Sequence, residues 1–178
     1  MRNLEPFKID LKGLKAEQSM FHFSLDDEYF EAVDAPDIHQ GNLAVSVTIH
    51  KLANCFEFNF HIQGSVTIPC DLCLGDMEQP IESENRLVVA LGDDYSDEDD
   101  LVTVSEKEGI LDTSWLIYEF IELSVPIKHV HAPGKCDSAM TETLNAYLTT
   151  RSSEEDNTKE HQDSRWAGLD KLKTTIKL

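Results

Sequence analysis

At 178 residues, with 40% hydrophobic and 8% aromatic content, the chain is sized for one domain with an appendage and can build a core without disulfide or metal support. Its 34 Asp and Glu against 15 Lys and Arg leave a formal net charge of -19 and a pI near 4.5. Such a field repels phosphate backbones and anionic lipid and attracts basic proteins, so broad contact with naked RNA, DNA or a membrane surface is disfavoured.

Met1 through Lys15 has neither an uninterrupted apolar core nor a small-residue cleavage site, and no stretch is long and apolar enough to span a bilayer. A cytoplasmic protein is expected. The four cysteines, Cys55, Cys70, Cys73 and Cys136, are too few and too unevenly spaced for a secreted disulfide framework.

In chain order, Phe7, Ile9 and Leu11, then Phe21, Phe23 and Leu25, recur at every second position on either side of Gly13. The pattern predicts two short strands able to pair as a hairpin. The acidic stretch from Asp26 to Asp37, interrupted by Tyr29 and Phe30, reads as a surface turn or short helix. Leu43, Val45, Val47 and Ile49 alternate with polar residues as a half-buried strand requires. Phe56, Phe58, Phe60 and Ile62 repeat the rhythm, and Val66 and Ile68 continue it beyond Gly64, which predicts three successive antiparallel strands. Leu87 to Leu91 and Leu101 to Val104 add two β-like runs. The acidic segment between them reads as a solvated loop, since Asp93 to Asp100 lacks the glycine and terminal glutamate of a calcium-binding EF-hand.

The period then changes. Leu116, Ile117, Phe120 and Ile121 lie at helical spacing behind the potential caps Asp112, Thr113 and Ser114, and Pro126 stops the run, so a helix over Ser114 to Ser124 should cover the sheet. After Pro133 and Gly134 a shorter stripe, Met140, Leu144, Tyr147 and Leu148, predicts a second helix. Residues 149–163 hold no large apolar side chain and read as an acidic linker closing a domain over 1–148. Residues 164–178 recover Trp166, Leu169 and Leu172 at helical spacing, a short amphipathic tail in which Arg165, Trp166 and Leu169 are the candidate partner-binding residues.

Cys70 and Cys73 frame a C-x-x-C that follows a strand ending at Pro69, a turn that brings two thiolates onto one metal. Cys136, with His129 or His131, completes a candidate zinc set if the fold returns that segment to the turn. The plainer expectation, and the one adopted from spacing alone, is that the cysteines are small buried side chains with no cofactor, because Cys-rich zinc sites normally show a second close ligand pair. No helix follows Cys73 to support a redox motif. His22, His50 and His61 occupy polar positions of strands and receive no role. P-loops, nucleophile elbows, dinucleotide glycines and H-E-x-x-H are all absent, so no catalytic residue is named.

The strand running into Gly64-x-Val66-x-Ile68-Pro69-Cys70-x-x-Cys73-Leu74, the acidic loop, and Leu111-Asp112 leading into a helix that ends Leu123-Ser124-Val125-Pro126-Ile127 together resemble the YceD family of large ribosomal RNA subunit accumulation proteins. The resemblance extends from about Phe7 to Cys136, and Asp163-Ser164-Arg165-Trp166-x-x-Leu169 is similar to the D-P-R-W-x-x-L tail of one branch, with Ser164 in place of proline. Leu72 stands where many members carry a basic residue, and Cys136 alone stands where many carry a Cys-rich cluster. The resemblance implies a noncatalytic role in 23S ribosomal RNA accumulation and large-subunit assembly. The acidic surface suits a basic ribosomal protein or assembly factor as partner. The rival is a zinc-stapled module that binds RNA directly through Lys51, Arg86, Lys128 and Lys135. The expected fold is α+β, a curled and mostly antiparallel sheet of about six strands, partly closed towards a barrel, under one main helix and followed by a mobile acidic tail.

Overall fold

The computed structural model of the chain describes residues 4–93, 96–98 and 101–147. The chain divides into two units, Met1–Leu144 and Asn145–Leu178, and the fold is that of the first. The expected linker, the tail with Arg165, Trp166 and Leu169, and Leu148 lie outside the described residues.

After a single 3-10 turn, Glu5–Phe7, come β1 (Lys8–Asp10), β2 (Gln18–Leu25) and a short helix, α1 (Asp27–Ala32). Then follow β3 (Gln40–Lys51), β4 (Cys55–Pro69), β5 (Asp76–Gly92), β6 (Ser96–Glu98), β7 (Leu101–Ser105), β8 (Ile110–Asp112), α2 (Ser114–Ser124) and α3 (Ser138–Tyr147). The class is α+β. A six-stranded sheet in the order β2-β3-β4-β5-β7-β6 carries the fold, and β1 pairs with β8 in a separate two-stranded ribbon.

The sheet is open. Among the described residues β2 and β6 stand at opposite edges and do not pair, so the partial barrel expected from the sequence does not form. The pairing is antiparallel except between β5 and β7, which run parallel because the chain first goes out to β6 and returns by a hairpin into the gap. The acidic segment thus holds an edge strand, rather than only a loop.

Two other strand expectations are corrected. β1 and β2 do not form a hairpin: the Asp10 carboxylate accepts the N–H groups of Lys12 and Gly13 at 3.0 Å each, which turns the chain away, and β1 joins β8 from Lys8↔Asp112 to Asp10↔Ile110. Nor does the chain turn at Gly64. β4 runs through it as one 15-residue strand, and Gly64 faces Leu43 across the ladder. A Cβ there would lie 2.2 Å from the Asn42 carbonyl oxygen, and the backbone has φ +153, so the glycine permits two strands to cross closely.

Strand alternation puts Val45, Val47 and Ile49 of β3 and Phe56, Phe58, Phe60 and Ile62 of β4 on one buried face. Each such side chain contributes about 1.5–3 kcal/mol through burial. α2 lies on that face, with Phe120 5.1 Å from Phe60 between ring centroids, and has the bounds that its periodicity predicts. Its start is capped by Asp112, whose Oδ1 accepts from the backbone N–H of Ser114 at 2.9 Å. α1 starts at the N-cap Asp26, and its Tyr29 hydroxyl donates to the Ser114 carbonyl at 2.8 Å, tying the two helices together. Among the described residues no helix is long and apolar enough to cross a membrane.

β5 pairs with β7 only from Val88 onward, so among the described residues the β4–β5 hairpin below that point has a strand partner on its β4 side alone. The tip of this hairpin, Cys70 to Gly75, carries the cysteines.

Candidate metal centre

Backbone geometry closes the tip before any side chain is considered. The Cys70 N–H donates to the Gly75 carbonyl and the Leu74 N–H to the Cys70 carbonyl, both at 2.9 Å. Leu74 sits in the left-handed region at φ 58, which a non-glycine residue adopts only where its surroundings hold it. The result directs the sulfurs of Cys70 and Cys73 inward and leaves Leu72 and Leu74 exposed.

The segment after α2 returns to this turn. The Asp71 N–H donates to the His129 carbonyl at 3.0 Å, and the His129 N–H donates to Asp71 Oδ2 at 2.8 Å. Beyond it, Ala132 to Lys135 make a tight turn with Gly134 at φ 80 and the Lys135 N–H on the Ala132 carbonyl at 3.0 Å. Proline followed by a positive-φ glycine is what a type II turn requires. This turn folds Cys136 back beside His131.

Four donor atoms thereby converge: one each from Cys70, Cys73, His131 and Cys136, all within 4.8 Å of one another. Cys70 Sγ to Cys136 Sγ is 3.9 Å, Cys73 Sγ to His131 Nδ1 is 3.4 Å and Cys136 Sγ to His131 Nδ1 is 3.9 Å. Zinc bonds of about 2.3 Å to sulfur and 2.0–2.1 Å to nitrogen place tetrahedral ligands about 3.8 Å (S–S) and 3.5 Å (S–N) apart, so the spacing fits that ion. His131 Nε2–H, 3.2 Å from the Asp76 carbonyl oxygen, donates there and turns the Nδ1 lone pair toward the sulfurs. Backbone N–H groups of Leu72 and His131 each lie 3.4 Å from Cys70 Sγ.

The protonation pattern follows from this crowding. Burial works against a Cys70 thiolate, but N–H groups of Cys73, His131 and Leu72 outweigh it and bring that thiol down to about 6. The N–H groups of Asp137 and Gly75 lower Cys73 as well. Burial, with Cys70 and Cys73 close by, pushes Cys136 up to about 11, and the contact with Cys70 raises His131. A divalent cation would change this pattern by holding all three sulfurs as thiolates.

Of the sequence candidates, the fold assembles Cys70, Cys73 and Cys136 and selects His131. His129 lies apart, with Nε2 3.4 Å from Asp71 Oδ1 and Nδ1 3.0 Å from the Pro126 carbonyl oxygen. Cys55, at the start of β4, is outside the cluster. The cations needed for direct RNA binding are divided: Lys51 pairs with Phe56 at the end of the sheet remote from the tip, and Arg86 is bound to Glu57. Lys128 adjoins the tip through His129, and about 3.3 Å per residue along β4 separates Phe56 from Pro69.

The family model for the large ribosomal RNA subunit accumulation protein YceD matches residues 58–173, more than half of the chain. The chain belongs to the YceD family. The match begins inside β4, so it leaves β1 to β3 unmatched and takes in the hairpin tip, α2, all four converging ligands and the segment with Trp166. No curated protein and no solved structure matches the chain.

Proposed function

We propose that this YceD chain is a noncatalytic cytoplasmic factor that supports 23S ribosomal RNA accumulation by binding a basic ribosomal protein or assembly factor. A zinc ion on Cys70, Cys73, His131 and Cys136 staples its hairpin tip to the segment after α2. The charge balance carries the partner reading: 34 acidic against 15 basic residues favours a cationic protein over the phosphate backbone. The division of Lys51 and Arg86 from Lys128 and Lys135 supports the same choice over direct RNA capture. Cys70, Cys73, His131 and Cys136 would supply four protein ligands to zinc, the number typical of structural rather than catalytic sites.

The test is a pull-down of the tagged full chain from lysate at low and high salt, with bound protein and RNA both identified. Enrichment of basic large-subunit proteins that disappears at high salt is expected, since screening shortens the reach of exposed charges. Recovery of pre-ribosomal RNA that survives stripping of other proteins would replace this reading with direct RNA binding.

A further inference from the structure

Two clefts meet beside the hairpin tip. One, of about 560 Å³, is lined by Asp27, Asp37, His39 and Asp76 together with Ile68 and Pro69. The other, of about 330 Å³, is walled by Ile38, Val125, Pro126 and Ile127, with Glu122 on its rim. Asp37, Ile68 and Pro69 line both, so the two make one trough that is carboxylate-rich on one side and aliphatic on the other. Neither cleft is lined by Lys or Arg among the described residues.

Among the described residues no Lys or Arg lines the acidic half of this trough, and its aliphatic half lies open. Ile127 is fully exposed at 103%, although an aliphatic side chain at the mouth of a cleft gains by being covered. Burial pushes the Glu122 carboxyl up, and its hydrogen bond with Asp37 and the negative charge there push it further, so two acids compete for the space a cation would fill. The walls adjoin the four converging side chains at the tip: Pro69 precedes Cys70, and the Asp76 carbonyl takes the His131 Nε2–H.

We propose that this trough is the docking site for the basic partner, and that it takes a short segment in which an aliphatic side chain is flanked by Lys or Arg. The aliphatic group covers Ile68, Val125 and Ile127, and the cations face Asp37, Asp76 and Glu122. This site rests on the acidic-adaptor reading and sharpens it from a general field to one surface.

The experiment titrates the full chain with a short leucine–arginine peptide and with an arginine peptide of equal charge lacking leucine, following isoleucine methyl NMR signals. Saturable binding of the first peptide, with shifts at Ile38, Ile68 and Ile127, is expected. Ile127→Asp and Asp37→Asn, both exposed positions, should each weaken it about fivefold or more, whereas Glu84→Gln, farther along β5 and lining neither cleft, should not. Equal affinity for the leucine-free peptide, or no effect of Ile127→Asp and Asp37→Asn, overturns the trough and leaves adaptor binding through bulk charge intact. Failure of the lysate pull-down to recover any basic protein overturns the adaptor reading itself.

Discussion

Cys70 Sγ lies 3.9 Å from Cys136 Sγ although 66 positions separate them in the chain. The distance is close to the edge of a zinc–thiolate tetrahedron, about 3.8 Å. Metal analysis of the purified full chain should therefore find stoichiometric zinc, and cobalt substitution should give the intense near-ultraviolet bands of thiolate ligation. Cys70→Ser, Cys73→Ser, Cys136→Ser and His131→Ala should each reduce metal affinity by more than the roughly ten- to hundredfold typical of outer-shell changes. His129→Ala should retain the ion, because that ring engages Asp71 and Pro126. Metal-free protein with an unchanged melting curve after cysteine substitution would overturn the zinc proposal in favour of the plain buried-thiol reading.

Gly64→Ala should be among the most damaging single changes in the sheet. The added carbon would meet the Asn42 oxygen at 2.2 Å and the Leu43 Cα at 2.7 Å, both backbone atoms, in a conformation with φ +153. We expect a loss of more than about 2 kcal/mol, measured by urea denaturation. A loss below about 0.5 kcal/mol would show that β3 and β4 separate readily at this point.

Glu122→Gln should stabilise the protein at neutral pH. Burial and the nearby Asp37 raise the carboxyl in the folded state, so the folded chain holds this proton where the unfolded chain has released it. Stability consequently falls as pH rises from the unfolded value, near 4.3, through the raised folded one. The melting temperature of Glu122→Gln should exceed that of the parent at pH 7, and the two should converge as pH falls below about 4. The same substitution should weaken the leucine–arginine peptide, trading binding for stability. A melting difference that does not change with pH would show that the charge is not its cause.

Tyr29→Phe should cost about 1 kcal/mol in chemical denaturation, because it removes the buried 2.8 Å bond to the Ser114 carbonyl while keeping the ring that packs 5.1 Å from Phe7. An unchanged midpoint would mean that water satisfies the carbonyl equally well in the variant.

Leu43 to Ile49, Phe56 to Ile62 and the α2 stripe were legible because alternation and helical spacing are imposed locally, by which face of each element meets the core. Gly13 and Gly64 misled for the same local reason. Each marks a chain reversal in many sequences, but here Asp10 captures the N–H groups beside Gly13, and Gly64 makes room for a neighbouring strand. The parallel insertion of β7 between β5 and β6 leaves no periodic trace at all.

The sequence by itself determined the acidic field, the α+β class, the bounds of the main helix, the family and the close spacing of Cys70 and Cys73, which it read as buried thiols without a metal. Tertiary structure alone decided that the sheet stays open, that His131 rather than His129 joins Cys136 at the tip, and that Asp37, Ile68 and Ile127 share a trough. The division has a physical reason. Periodicity and charge are properties of neighbouring residues, whereas a ligand set or a groove depends on closing loops of tens of residues. The paired backbones of Asp71 with His129, and the Pro133–Gly134 turn, bring about that closure only once the sheet and helix are in place.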